Sequence, residues 1–162
     1  MFARSTLTLA EAVLKEAREA KLMLAFAESC TGGLIAAACT SVAGSSDWFE
    51  RGFVTYSNRA KIELLGVPAA LIDAHGAVSE EVARAMAEGA LAHSPAGVAV
   101  SCTGVAGPGG GSAEKPVGLV HFAAARKGQT TLHEECRFGD LGRGKVRMKS
   151  VEAALKLLLQ IL

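Results

Sequence analysis

Ser29 stands in the segment Ala27-Glu28-Ser29-Cys30-Thr31-Gly32-Gly33, directly after the short apolar run from Leu22 to Ala27. If that run is a strand turning sharply into a helix, the turn presents the serine hydroxyl beside the backbone N–H groups of Thr31, Gly32 and Gly33. Such donors stabilise negative charge developing on a carbonyl oxygen. Ser29 is therefore a candidate nucleophile. The turn differs from a Gly-x-Ser-x-Gly elbow, because Ala27 and Thr31 occupy the glycine positions. A competing assignment makes Ser29 or Thr31 an ordinary helix cap, and Cys30 is a rival nucleophile, since a thiolate attacks more readily than an alcohol.

A serine nucleophile needs a base, and the four histidines, His75, His93, His121 and His133, are scattered. Lysine serves instead when burial or neighbouring charge lowers its pKa. Tyr56, the only tyrosine, and Lys61 supply such a pair. Tyr56 ends a strand candidate that begins at Gly52, and Lys61 falls on the first turns of the following helix, so both can face one cleft. A core tyrosine and a solvated lysine are the competing assignment. Short-chain dehydrogenases also pair tyrosine with lysine, but at an offset of four, and no dinucleotide-binding loop follows the first strand here.

The loop from Thr103 to Ser112 offers backbone donors with little side-chain obstruction, which suits a phosphate or another anion. It is no Walker loop, because Gly110 and Gly111 stand where Lys and Ser/Thr are required. Arg143 and Arg147 lie one helical turn apart at the start of the last helix and can clamp a phosphate; a solvated basic face is the alternative. No His-Glu-x-x-His and no paired Cys-x-x-Cys occurs, so no catalytic metal is expected.

The elements that must position these residues follow from periodicity. Ala10, Val13, Leu14 and Ala17 mark an amphipathic helix between Ser5 and Lys21. Leu22 to Ala27 reads as a strand, and a helix begins at Leu34. Gly52 to Tyr56 is the second strand, and Ser57-Asn58 caps a helix that Gly66-Val67-Pro68 stops. Ser79-Glu80-Glu81 opens another helix, with Val82, Met86 and Ala90 as its buried stripe. Gly97 to Ser101 is an apolar strand feeding the glycine loop. Val117–Ala125 and Thr130–Phe138 form a hairpin, and a helix with Val151, Ala154, Leu155, Leu158 and Leu162 inward closes the chain. This order predicts an α/β fold: a three-layer α/β/α sandwich on a mixed, mostly parallel sheet with a C-terminal hairpin.

The chain has 162 residues, 50% hydrophobic and 20% charged, which fits a single domain over 1–162 and excludes a disordered tail. Seventeen basic against sixteen acidic residues, with only 5% aromatics, provide neither the field nor the stacking surface of a nucleic-acid binder. No apolar stretch reaches the roughly 20 residues a bilayer crossing needs. A cytoplasmic location is expected, with no membrane partner. Four cysteines without Cys-x-x-Cys spacing make a disulfide framework unnecessary, and small apolar helices are compatible with a homo-oligomer.

At these residues the sequence resembles the CinA C-terminal domain family, whose stand-alone form is a nicotinamide-nucleotide amidohydrolase of PncC type. The resemblance rests on Ala27 to Gly33, on Thr55-Tyr56-Ser57-Asn58 with Lys61, on Gly76-Ala77-Val78-Ser79, and on Thr103 to Gly111 continuing through Lys115-Pro116-Val117-Gly118. It covers essentially the whole chain, and the molybdopterin-binding-like domain of longer members is not expected. Asp140-Leu141-Gly142-Arg143 departs from the more compact Gly-Asp-Arg of the family. The resemblance implies deamidation of nicotinamide mononucleotide to nicotinic acid mononucleotide and ammonia, without a cofactor. By motif, Ser29 is the implied nucleophile, Tyr56 and Lys61 its activating partners, and Cys30 to Gly33 the oxyanion donors. Thr103, Gly104, Ala106, Gly107, Gly109, Gly110 and Arg143 would bind the nucleotide. The alternative is a non-catalytic nucleotide-binding or regulatory module. A DNA-linked competence role finds no support in the balanced charge.

Overall fold

The computed structural model describes residues 1–162. Its elements run α1 (Arg4–Ala20), β1 (Leu24–Glu28), α2 (Leu34–Thr40), a 3-10 turn (Ser45–Asp47), β2 (Phe49–Val54), α3 (Asn58–Leu65), α4 (Ala69–His75), α5 (Glu80–Ala92), β3 (Val98–Gly104), β4 (Leu119–Arg126), β5 (Leu132–Arg137) and α6 (Arg143–Ile161). One five-stranded sheet has the order β2-β1-β3-β4-β5. β1 is parallel to both β2 and β3, whereas β3–β4 and β4–β5 are antiparallel. The sheet is mixed, as expected, but its pairings divide evenly instead of being mostly parallel. The return strand β4 lies directly against β3, so the hairpin continues the same sheet.

Period-two alternation in the strands separates two cores. Leu24 and Phe26 of β1, Val98, Val100 and Cys102 of β3, and Val120, Phe122 and Ala124 of β4 face α1, α2 and α6. Ala25, Ala27 and Ala99 face the opposite way, onto Leu65, Ile72, Val82, Met86 and Ala90 from the α3–α5 side. The alanines let the helices of that layer approach closely. On α1 the predicted stripe Ala10, Val13, Leu14 and Ala17 is buried. Ser79 caps α5 by accepting the Val82 N–H.

Three local readings differ. β2 begins and ends earlier than Gly52–Tyr56, and Thr55 and Tyr56 lie beyond its last residue. β3 runs on to include Thr103 and Gly104, paired with His121 and Val120 of β4, so glycine content did not end the strand. Helix α4 was not anticipated; Pro68 ends one helical region and directly precedes the next, and Ile72 is its one buried residue.

The order β2-β1-β3 places the second strand on one side of β1 and the third on the other. Right-handed crossovers then put α2 on one face and α3–α5 on the opposite face. The connections diverge at the carboxyl ends of β1 and β3, which opens a crevice where α/β sheets take their ligands.

Candidate active site

A cavity of about 290 Å³ opens at that crevice, lined among others by Ser29, Cys30, Tyr56, Lys61, Thr103, Gly104, Ala106, Gly107, Gly109, Gly110 and Arg143. Ser29 is the first residue past β1, and its backbone N–H continues the strand pairing by donating to Cys102 O at 2.9 Å. Gly32 (φ 58°) and Gly33 (φ 101°) then reverse the chain into α2 through left-handed backbone that side-chain-bearing residues disfavour.

Lys61 points inward from the first turns of α3, where Ser57 accepts the Ala60 N–H as cap. Only 1% of Lys61 is exposed. Its Nζ lies 3.0 Å from Ser29 Oγ and 2.9 Å from Thr55 O, with Tyr56 O at 3.5 Å. No carboxylate pairs with it. Burial holds the Lys61 pKa below the ordinary lysine value, partly opposed by the neighbouring Cys30 thiol. A lowered pKa and a 3.0 Å approach to a hydroxyl are what a general base for Ser29 requires. The solvated-lysine assignment does not fit this geometry.

Tyr56 faces the same cavity as Ser29 and Lys61, from its rim. The residue is 60% exposed, and its hydroxyl accepts from Arg143 Nη2 at 2.7 Å. Only its backbone carbonyl approaches Lys61. The chain leaves β2 before Tyr56, so the ring points to the cavity rim. The Arg143 guanidinium also donates to Gly107 O at 2.9 Å, spanning from tyrosine to glycine loop. Arg147 diverges from it: Nε donates to Cys30 O at 3.1 Å and Nη2 to Thr31 O at 3.0 Å. The anticipated joint phosphate clamp is therefore not formed, because one arginine serves the rim and the other the Ser29 turn.

The expected oxyanion donors also divide. Gly32 N–H is spent on Ser29 O at 3.0 Å, and Gly33 N–H on the Glu28 carboxylate at 3.0 Å. Neither can serve as a free donor. The N–H groups of Cys30 and Thr31 donate to no other residue. Glu28 escaped the sequence reading: fully buried, it accepts from Gly33, Ile35 and Ala36 N–H and so fixes the start of α2. An acidic residue just ahead of a predicted helix was the available signal. Ala77 and Val78 line the cavity as well, held there by Thr103 Oγ1 donating to Ala77 O at 2.8 Å.

Cys30 Sγ lies 3.5 Å from Cys102 Sγ, and both thiols belong to the core beneath the turn. The hydrogen bond from Cys102 lowers the Cys30 pKa, while burial raises that of Cys102. Lys61 Nζ is hydrogen-bonded to Ser29 Oγ, and no hydrogen bond joins it to Cys30 Sγ.

The match between chain and family is as extensive as this arrangement. Residues 6–162 fit the model of the CinA C-terminal domain. The chain belongs to that family. It is 60% identical over 122 residues to a putative competence-damage inducible protein of Symbiobacterium thermophilum, covering 75% of this chain but 29% of that protein. The matched segment thus spans less than a third of that relative. It is 56% identical over 131 residues to the nicotinamide-nucleotide amidohydrolase PncC of Enterobacter agglomerans, covering 80% of this chain and 79% of the other. Among solved structures, the competence/damage inducible protein CihA from Agrobacterium tumefaciens superposes with a TM-score of 0.97 at 49% identity, over 99% of this chain and 98% of that one. The α/β fold is that of the CinA superfamily. No helix is long and apolar enough to cross a membrane.

Proposed function

We propose that this domain deamidates nicotinamide mononucleotide, giving nicotinic acid mononucleotide and ammonia, with Ser29 as nucleophile and Lys61 as its base. The observation that carries the reading is the 3.0 Å approach of a buried, carboxylate-free lysine to a serine hydroxyl at a cavity. Similarity over most of both chains to a protein named for this reaction supports the substrate class.

Neutral Lys61 takes the Ser29 proton as Oγ adds to the amide carbon, and the carbonyl electron pair moves onto oxygen. The Cys30 and Thr31 N–H groups hold that oxyanion. Lys61 returns the proton to the amide nitrogen, the C–N bond breaks, and ammonia leaves an ester on Ser29. Water then attacks the ester with Lys61 again as base, releasing the carboxylate and restoring the serine. The backbone donors of Ala106, Gly107, Gly109 and Gly110, together with Arg143, hold ribose and phosphate. This remote binding aligns the amide with Ser29. Tyr56 shapes the rim through Arg143 and takes no proton from Ser29.

The test is to supply nicotinamide mononucleotide, nicotinamide riboside and free nicotinamide separately, and to follow ammonia together with the pyridine product. The expected result is one ammonia per carboxylate product from the mononucleotide, with poorer use of the phosphate-free compounds. Calorimetric binding of the mononucleotide without ammonia release would instead assign a binding module.

A further inference from the structure

The peptide groups of the Ser29 turn are coupled to a side chain outside the cavity. In a trans peptide the C=O and the following N–H point in opposite directions, so fixing one aims the other. Arg147 Nε holds Cys30 O, and the N–H opposite that carbonyl is that of Thr31. Arg147 Nη2 holds Thr31 O, and the N–H opposite it is that of Gly32, which donates to Ser29 O. The N–H opposite Ser29 O is that of Cys30. Thr31 O also accepts the Leu34 N–H at 3.2 Å, whereas Arg147 is the one donor to Cys30 O, so Arg147 alone orients the Thr31 N–H and shares the hold on the peptide that leads to the Cys30 N–H. Its own place is set from α6, where the neighbouring Val146 and Val151 are buried in the core.

We infer that Arg147 is a positioning residue for the oxyanion donors, acting through the Cys30 and Thr31 carbonyls without touching substrate. The inference rests on the amidase reading for its substrate. A lysine there reaches one carbonyl at a time, and a smaller residue frees the Cys30–Thr31 peptide plane to rotate, while the Thr31 carbonyl keeps only the Leu34 N–H. Misdirected donors stabilise the tetrahedral state less while ground-state binding at the glycine loop is kept, so the loss falls on kcat.

The test compares the parent with Arg147→Ala and Arg147→Lys for nicotinamide mononucleotide turnover, with and without added guanidinium ion at millimolar concentration. The expected result is a fall in kcat of about 10- to 100-fold, the scale of displaced catalytic geometry, with KM within about twofold. Guanidinium should return part of kcat to Arg147→Ala and none to the parent. A rise in KM with kcat preserved would overturn the inference and make Arg147 a substrate ligand. If Arg147→Ala does not fold, Arg147→Lys decides, and parent-like kcat in it overturns the inference. If the parent itself leaves the mononucleotide intact, the amidase reading fails separately, and acylation of Ser29 by p-nitrophenyl acetate becomes the readout. Slower acylation in the arginine variants supports positioning, whereas equal rates or no acylation contradict it.

Discussion

Arg143 Nη2 donates to the Tyr56 hydroxyl at 2.7 Å, which engages the only tyrosine at the cavity rim and leaves Lys61 alone beside Ser29. Ser29 and Lys61 are held from the end of β1 and from α3, while Tyr56 lies just past β2 and Arg143 opens α6. Chemistry and substrate grip are therefore separable by mutation.

Tyr56→Phe removes the hydroxyl without emptying the rim, and Arg143→Ala removes the cation that spans rim and loop. Both variants should raise KM for the mononucleotide, by about 10-fold or more for Arg143→Ala, with smaller changes in kcat. Steady-state kinetics on the mononucleotide and the riboside check this, and the riboside should respond less to Arg143→Ala. A drop in kcat of several orders of magnitude in Tyr56→Phe would return the tyrosine to the proton relay.

The lowered pKa of Lys61 fixes the sign of two pH dependences. The proposed mechanism uses the neutral amine, so kcat/KM should rise with pH as Lys61 deprotonates, with a midpoint below the ordinary lysine value of 10.5. Stability moves the same way. Between the depressed folded pKa and the unfolded one the unfolded chain binds more protons, so folding gains stability as pH rises through that window. Denaturant titrations of the parent and Lys61→Met across alkaline pH should show the parent gaining relative to the variant. A flat difference would mean that burial leaves the lysine unperturbed.

Glu28→Gln tests the buried carboxylate that anchors α2. Three backbone N–H groups share its two oxygens, and a neutral amide offers one acceptor oxygen in their place. The variant should lose about 2 kcal/mol of unfolding free energy, read from chemical denaturation, and its kcat should fall because Ser29 is the next residue. Unchanged stability would show that the N–H groups find other partners.

Much of this fold was legible because its helices are amphipathic and its central strands are apolar. The stripe of α1, the cap at Ser79 and the turn after β1 all carry local signals. α4 was not legible, since a seven-residue helix with one buried side chain leaves almost no periodicity. For the site, local pattern identified Ser29 and Lys61 as candidates only. Their approach depends on β1 and β2 lying side by side, which no local pattern states. Tyr56 does reach the shared cavity, but its hydroxyl partner, Arg143, comes from α6, and no local pattern states that pairing. Arg147 and Glu28 act through backbone atoms, and sequence carries no direct sign of which carbonyl or N–H a side chain will find.

Cys30→Ala separates the two possible nucleophiles. The Cys30 thiol packs against Cys102 and has no hydrogen bond to Lys61, so the variant should keep kcat within about 10-fold and lose some stability to the small cavity left behind. Ammonia assays beside thermal unfolding check both. Loss of all activity with the fold intact would transfer the attack to sulfur.

The most direct measurement is ammonia release from nicotinamide mononucleotide by the parent, Ser29→Ala, Lys61→Met and the double variant, with binding of the mononucleotide measured in each. The serine–lysine account predicts turnover by the parent, a loss of roughly 10³-fold or more in each single variant, no further loss in the double variant, and retained binding. Near-parental turnover by Ser29→Ala, or losses in the single variants that multiply in the double, would contradict it.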